Sequence, residues 1–122
     1  MSAEHRRARR RGKSFELLVA RALGGRRPRG GNRGVASSDV EGVPWSVEVT
    51  RTAKGEGVVR LKWAQCCRNA KAEGREPVLV VARPRQRLRD ALVVCRFELF
   101  DSLRRGSYEK ELQAQEDSSL PR

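Results

Sequence analysis

Histidine and cysteine are scarce in this sequence, which narrows the chemistry open to it. The chain has one histidine, His5, and three cysteines, none of them at CxxC spacing. A zinc site therefore lacks ligands, and a catalytic histidine paired with serine or cysteine is missing from the body of the chain. Any chemistry must use carboxylates, lysine, arginine or hydroxyl groups.

Long apolar runs are also missing. No stretch of 18 or more apolar residues occurs, so we expect no membrane-spanning helix. The basic N-terminal residues are not followed by the apolar stretch of a secretory signal, and we expect a cytoplasmic protein. With 122 residues, of which 38% are hydrophobic, the chain is long enough for one domain with a real core.

Negative charge is in the minority. The chain has 27 Lys+Arg against 15 Asp+Glu, a formal net charge of +12. This balance favours a polyanionic partner, nucleic acid first, with a ribosome- or RNA-associated protein as an alternative. We expect phosphate contacts from an N-terminal arm and a Gly/Arg-rich loop, through Arg9, Arg10, Arg11, Lys13, Arg26, Arg27, Arg29 and Arg33.

Apolar periodicity predicts one α/β domain over residues 13–106, between a basic disordered arm at 1–12 and a polar C-terminal tail at 107–122. Ser14 is expected to cap the first helix, and Gly24-Gly25 to end it. Its predicted core face contains Phe15, Leu18, Val19 and Ala22, with Glu16 at the edge.

Six further elements follow in the predicted order β, β, α, β, β, α. Together with the first helix they give a small mixed sheet flanked by helices. The continuous apolar run between two prolines predicts a buried strand. The predicted spans are strands at 35–40 and 44–51, a helix at 58–73, strands at 77–84 and 90–96, and a helix at 97–105.

Three carboxylates fall where this order of elements brings them together. Alternation along the second strand places Glu48 on the polar face, and a tight hairpin brings Asp39 beside it. Glu16 of the first helix supplies a third carboxylate. Taken one at a time, these residues are more simply turn or surface residues. As a set they predict a Mg²⁺ or Mn²⁺ site, because converging carboxylates stay ionised together only beside a cation. Beside a phosphate-binding surface, such a site favours phosphodiester hydrolysis.

The segments GKSFELLVARALGG, SSDVEG, PWSVEVT and AQCCRNA resemble the PD-(D/E)xK nucleases. The similarity is to small phage and archaeal Holliday-junction-resolvase-like endonucleases. It implies a restriction-endonuclease-like fold, Mg²⁺-dependent cleavage of branched DNA, a role in DNA recombination, a homodimer, and a bacterial, archaeal or phage-infected host cell. The positions that match the active centre are Glu16, Asp39 and Glu48 as metal ligands, and Gln65 on the following helix.

One position departs from that family. The lysine expected two residues after the strand glutamate is replaced by Thr50, which can hydrogen-bond water or phosphate but carries no charge. Lys62, which shares a helix face with Gln65, is our first candidate for a substitute, and Lys54 in the preceding loop is another. The alternative function is a catalytically weak or inactive nucleic-acid-binding protein on the same fold.

Overall fold

The structure, a computed structural model, describes residues 3–28, 38–106 and 113, with the side chains of residues 4–13 excepted. It is a mixed α/β domain, as predicted. In chain order the elements are helix α1 (Ala3–Ala22), strand β1 (Trp45–Arg51), helix α2 (Glu56–Glu73), strand β2 (Glu76–Ala82), a 3₁₀ turn (Leu88–Asp90), strand β3 (Leu92–Cys95) and helix α3 (97–106).

The three strands form one sheet in the order β1-β2-β3. β1 and β2 are parallel, with Val47 opposite Val78, and β2 and β3 are antiparallel, with Val80 opposite Val93. Two parallel neighbours need a long crossover, and α2 provides it. β1 and β3 are therefore the two edges of the sheet.

Helices cover both faces of the central strand. Val78 and Val80 of β2 lie in the core cluster that contains Phe15 of α1. Leu79 of β2 clusters on the opposite side with Cys66 of α2. Because both faces are buried, β2 is apolar along nearly its whole length instead of alternating. This confirms the buried strand that the sequence predicts.

Helix α1 begins earlier than predicted. Ser14 lies inside the helix, which starts at Ala3, so most of the segment predicted as a disordered arm is helical in its backbone. Alanine, glutamate and arginine all favour helix, and they dominate this segment. The prediction that Ser14 caps the helix was therefore wrong.

The predicted end of α1 is confirmed. The Gly24 N–H donates to the Arg21 carbonyl at 3.1 Å, and the Gly25 N–H donates to the Ala20 carbonyl at 2.8 Å. Gly24 has φ 77°, so these bonds form the left-handed cap that glycine favours. A side chain at Gly25 would collide with the carbonyl oxygen of Glu41.

The core face of α1 is narrower than predicted. Phe15 and Val19 are buried, and so is Ala20. Leu18 and Ala22, which were expected in the core, are exposed. The helix packs on one face of a three-stranded sheet, which is too small to cover a wider stripe.

Residues 38–40 form no strand, and the rest of the predicted strand at 35–40 lies outside the described residues. The side chain of Ser38 takes the place of regular backbone pairing: its Oγ accepts a hydrogen bond from the Val47 N–H at 2.8 Å. It also accepts one from the Val40 N–H at 3.2 Å. Such local bonds compete with a ladder.

The remaining elements lie close to their predictions. α2 ends at Gly74, which has φ 67°. β3 is shorter than the predicted strand at 90–96, because the 3₁₀ turn takes up its first residue. None of the helices in the described part of the chain is long and apolar enough to cross a membrane.

Candidate active site at the edge of the sheet

Asp39 lies at the open edge of β1. Its backbone N–H donates to the Val47 carbonyl at 2.7 Å. Its carboxylate Oδ2 accepts a hydrogen bond from the Val49 N–H at 2.8 Å. These two bonds flank Glu48 from either side. The hairpin therefore places Asp39 beside Glu48, as the sequence predicts.

Glu48 extends from β1 toward α2. It is opposite Leu79, which packs on the α2 face of the sheet. The side chain of Asn69, on α2, hydrogen-bonds the Glu48 carboxylate. Ser46, two residues earlier on the same face, donates to the carboxylate of Glu73, also on α2, at 3.1 Å. Polar contacts thus continue along this side of β1.

Both carboxyl groups have raised pKa values, and burial is the main cause for each. Burial raises the pKa of Asp39 to about 6, against the lowering effect of its bond to Val49. Burial raises the pKa of Glu48 to about 7, and the negative charge of Asp39 adds to this rise. Two partly desolvated acids that repel each other are characteristic of functional sites.

Lys62 of α2 reaches this pair. Its positive charge lowers the pKa of both Asp39 and Glu48. Lys54 is exposed in the loop after β1 and is not among the charges that shift either pKa. Of the two lysines predicted as substitutes, Lys62 is therefore the one placed beside the carboxylates.

Glu16 approaches the pair from α1. Its charge raises the pKa of both Asp39 and Glu48, so all three acids are electrostatic neighbours. The Glu16 Oε2 also lies 3.3 Å from the Arg27 Nε in an ion pair. That nitrogen is buried without good hydrogen-bond geometry to any partner. Arg27 thus occupies the side of Glu16 that a shared cation would need.

The predicted set of three metal ligands is not preformed. No three histidine, cysteine, aspartate or glutamate side chains converge as metal ligands within the described residues. Asp39 and Glu48 do fit a divalent cation by their chemistry, because they supply hard oxygen donors whose pKa values are raised chiefly by burial. The structure therefore offers a pair of ligands, with Glu16 held nearby by Arg27.

Thr50 occupies the position of the missing lysine, on the same side of β1 as Glu48. It is buried and lies opposite Val81, whose cluster packs against α2. Arg51 faces the other side, where its guanidinium lies 4.9 Å from the centre of the Phe15 ring. It cannot replace a lysine at the acids. Gln65 is half-buried on α2. Among the described residues it makes no hydrogen bond to the carboxylates of Asp39 and Glu48.

Only two of the predicted phosphate-contacting residues have side chains that the structure describes. Arg26 pairs with Glu41 at 3.5 Å, and Arg27 pairs with Glu16, so both described members have an acidic partner. Arg29 and Arg33 lie outside the described residues. Three arginines and one lysine, Arg9, Arg10, Arg11 and Lys13, lie within α1, but their side chains are outside the described part of the structure.

Two contributors were missed by reasoning from the sequence. The sequence assigned no role to Asn69, because its bond to Glu48 depends on how α2 packs. Arg27 was expected to contact only phosphate. No sequence signal located Arg27, because its position depends on the bridge of Arg26 with Glu41, which only the structure shows.

Comparison with known proteins does not assign a family. No family model, no curated protein and no solved structure matches the chain. The similarity to PD-(D/E)xK nucleases therefore rests on the quoted sequence segments alone.

Proposed function

We propose that this chain is a divalent-metal-dependent DNA endonuclease on a restriction-endonuclease-like fold, with branched DNA as its substrate. One observation carries the proposal: Asp39 and Glu48 lie side by side at an open sheet edge, with Lys62 beside them. Two acids whose ionised forms are disfavoured by burial would be stabilised in those forms by a cationic ligand at that place.

The roles of the residues follow from their chemistry. Asp39 and Glu48 would hold Mg²⁺ or Mn²⁺, and Glu16 would join them only on leaving Arg27. A bound cation of this kind polarises a phosphate oxygen and makes water a stronger nucleophile. Lys62 would stabilise negative charge on the phosphate, which is the role of the lysine that Thr50 replaces.

A catalytically weak or inactive DNA-binding protein is the second candidate. The observations that favour it are the uncharged Thr50 and the ion pair that holds Glu16 on Arg27. On this view the same acids are a remnant of an active centre. Binding to DNA would remain, because it depends on the basic residues rather than on the acids.

Four-way, duplex and single-stranded DNA, each with Mg²⁺, Mn²⁺ or a chelator, would test the proposal. We expect metal-dependent cleavage that is strongest on four-way DNA. Binding to all forms without cleavage would support the second candidate. Duplex RNA should be included, since tighter binding to RNA than to any DNA would support the RNA-associated alternative.

The homodimer is likewise a proposal, and the β3 edge of the sheet supports it. Phe97 and Phe100 are 78% and 56% exposed, and their ring centroids are 6.4 Å apart. These two rings leave roughly 250 Å² uncovered, which is a large share of the ~800 Å² that a stable interface buries on each partner. We use the name apolar face for the exposed apolar residues of β3 and α3, which are Leu92, Val93, Phe97, Phe100 and Leu103. Leu92 and Val93 are adjacent on β3 and project to opposite sides of this sheet edge.

The charges around the apolar face suit a second copy of the chain. Asp101 of α3 pairs with Arg104 and Arg105, both at 2.8 Å. Arg96 lies 3.8 Å from Glu76. Because each of these arginines has an acidic partner, two copies of a strongly basic chain could meet here with less repulsion than at the rest of the surface. Two β3 strands could also pair antiparallel, since β3 pairs only with β2 in the described structure.

A further inference from the structure

The turn after β2 is rich in arginines, and their side chains are part of the described structure. Between Arg83 and Asp90 the chain has four arginines and one acidic residue. Asp90 pairs only with Arg87, at 3.5 Å. The other three arginines, Arg83, Arg85 and Arg89, are exposed, and they make no ion pair with any described residue.

The backbone of this turn is held firmly. The Gln86 N–H donates to the Arg83 carbonyl at 3.1 Å, and the Arg83 N–H donates to the Gln86 side-chain oxygen at 2.9 Å. Arg51, the last residue of β1, donates to the Arg83 and Gln86 carbonyls, both at 3.2 Å. These bonds fix the turn to the end of the sheet.

Arg85 occupies the one strained position of this turn. It follows Pro84 and has φ 65°, and it is the only residue other than glycine with positive φ in the described structure. Proline followed by a residue of positive φ is typical of a type II turn, in which glycine is favoured at the second of these positions. An arginine there raises the free energy of the fold without a compensating ion pair or hydrogen bond of its side chain among the described residues, which is a common feature of binding sites.

The turn lies within reach of DNA bound at the acids. Glu48 is three residues from Arg51 on β1, or about 10 Å along the strand. At ~3.4 Å per base pair, this distance corresponds to about three base pairs of duplex. The turn also lines a cavity with Ser14 of α1. It is therefore continuous with the helix that contains the N-terminal arginines.

We infer that the arginine turn, Arg83–Arg89, binds the phosphate backbone of duplex DNA about three base pairs from the acidic pair, with Arg85 as its central contact. This inference rests on the DNA substrate proposed above, but it does not require cleavage. Exposed arginines without acidic partners contact phosphate and position the duplex without reading its sequence.

Binding of short duplex DNA across a salt series tests the inference, with Arg85→Ala against Arg68→Ala. Arg68 is an exposed arginine on α2 with no ion pair among the described residues, so both variants lose the same charge. We expect Arg85→Ala to weaken binding roughly five- to tenfold at ~0.1 M salt and to reduce the log–log salt slope by about one. Arg68→Ala should leave both nearly unchanged. Equal effects of the two variants would overturn the inference.

Arg85→Gly separates a binding role from a structural one. Glycine adopts positive φ without strain, so the variant should melt at or above the wild-type temperature while losing the same DNA affinity. A lower melting temperature together with weaker binding would mark Arg85 as structural and would contradict the inference. So would a loss of affinity for duplex RNA but not for DNA. If the wild type binds DNA but never cleaves it, the nuclease proposal fails while this test still applies.

Discussion

The two edges of the sheet present opposite kinds of surface. At the β1 edge, residues 38–40 add backbone and side-chain hydrogen bonds, and the carboxylates of Asp39 and Glu48 are partly buried there. At the β3 edge, Leu92 and Val93 are exposed, next to the exposed rings of α3. One edge buries charge, whereas the other exposes apolar surface.

Neither arrangement benefits an isolated chain. Partial burial of ionised carboxylates is unfavourable, and their raised pKa values express this cost. Exposed apolar surface next to an open strand edge promotes association. We therefore expect each edge to be stabilised by a different ligand. A cation with phosphate would stabilise the β1 edge, and a second protein surface would stabilise the β3 edge.

The largest expected effect is the loss of cleavage when an acid of the β1 edge is removed. Asp39→Asn keeps an oxygen that can accept the Val49 N–H but removes a charged ligand. Metal catalysis contributes several kcal/mol, so we expect cleavage to fall by about a thousandfold. The thermal stability should not fall, because a partly buried charge is removed. Cleavage rates and melting curves provide the measurements.

Glu41→Gln is the matched control for Asp39→Asn. Glu41 belongs to the same hairpin, but its side chain pairs with Arg26 and does not shift the pKa of either site acid. It should cleave DNA as the wild type does. A similar loss in both variants would attribute the effect to the hairpin rather than to the carboxylate.

The second largest effect is expected from removing the positive charge of Lys62 beside the acids of the β1 edge. Lys62→Ala should lower cleavage by roughly a hundredfold, as the loss of a single electrostatic donor does. Adding Thr50→Lys should restore part of that activity, since Thr50 shares the face of Glu48. Thr50→Lys alone should change little. If Lys62→Ala retains full activity, Lys62 does not substitute for the missing lysine.

The positions of the acids at the β1 edge could be predicted from the sequence better than the exposed residues of α3. The alternation of Glu48 and the hairpin reach of Asp39 follow from local geometry, and Gly24-Gly25 ended α1 as predicted. The pairing of Glu16 with Arg27 could not be predicted, because it depends on how α1 packs against the hairpin. The apolar spacing at 97–105 predicted a helix, which α3 confirms, and the structure leaves Phe97 and Phe100 exposed.

The β3 edge is tested by self-association. Phe97→Glu with Phe100→Glu should convert the proposed dimer into a monomer, since central aromatic residues of an interface often contribute 2 kcal/mol or more, about thirtyfold in affinity. Light scattering after size exclusion gives the mass. Leu61→Glu is the control, because Leu61 is 72% exposed on α2, away from the apolar face. A monomeric wild type would contradict the proposal and leave the β1 edge unaffected.

The smallest expected effect is a pH-dependent stabilisation by metal at the β1 edge. The raised pKa values of Asp39 and Glu48 mean that the folded chain holds more protons than the unfolded chain between about pH 4 and pH 7. Stability without metal should therefore fall as the pH rises through this window. A cation binds the ionised forms, so Mg²⁺ should raise the melting temperature by a few degrees at pH 8 and hardly at pH 5. The variant Asp39→Asn, Glu48→Gln should lose both the pH dependence and the metal effect. Equal stabilisation by Mg²⁺ at the two pH values would place the cation elsewhere on the chain.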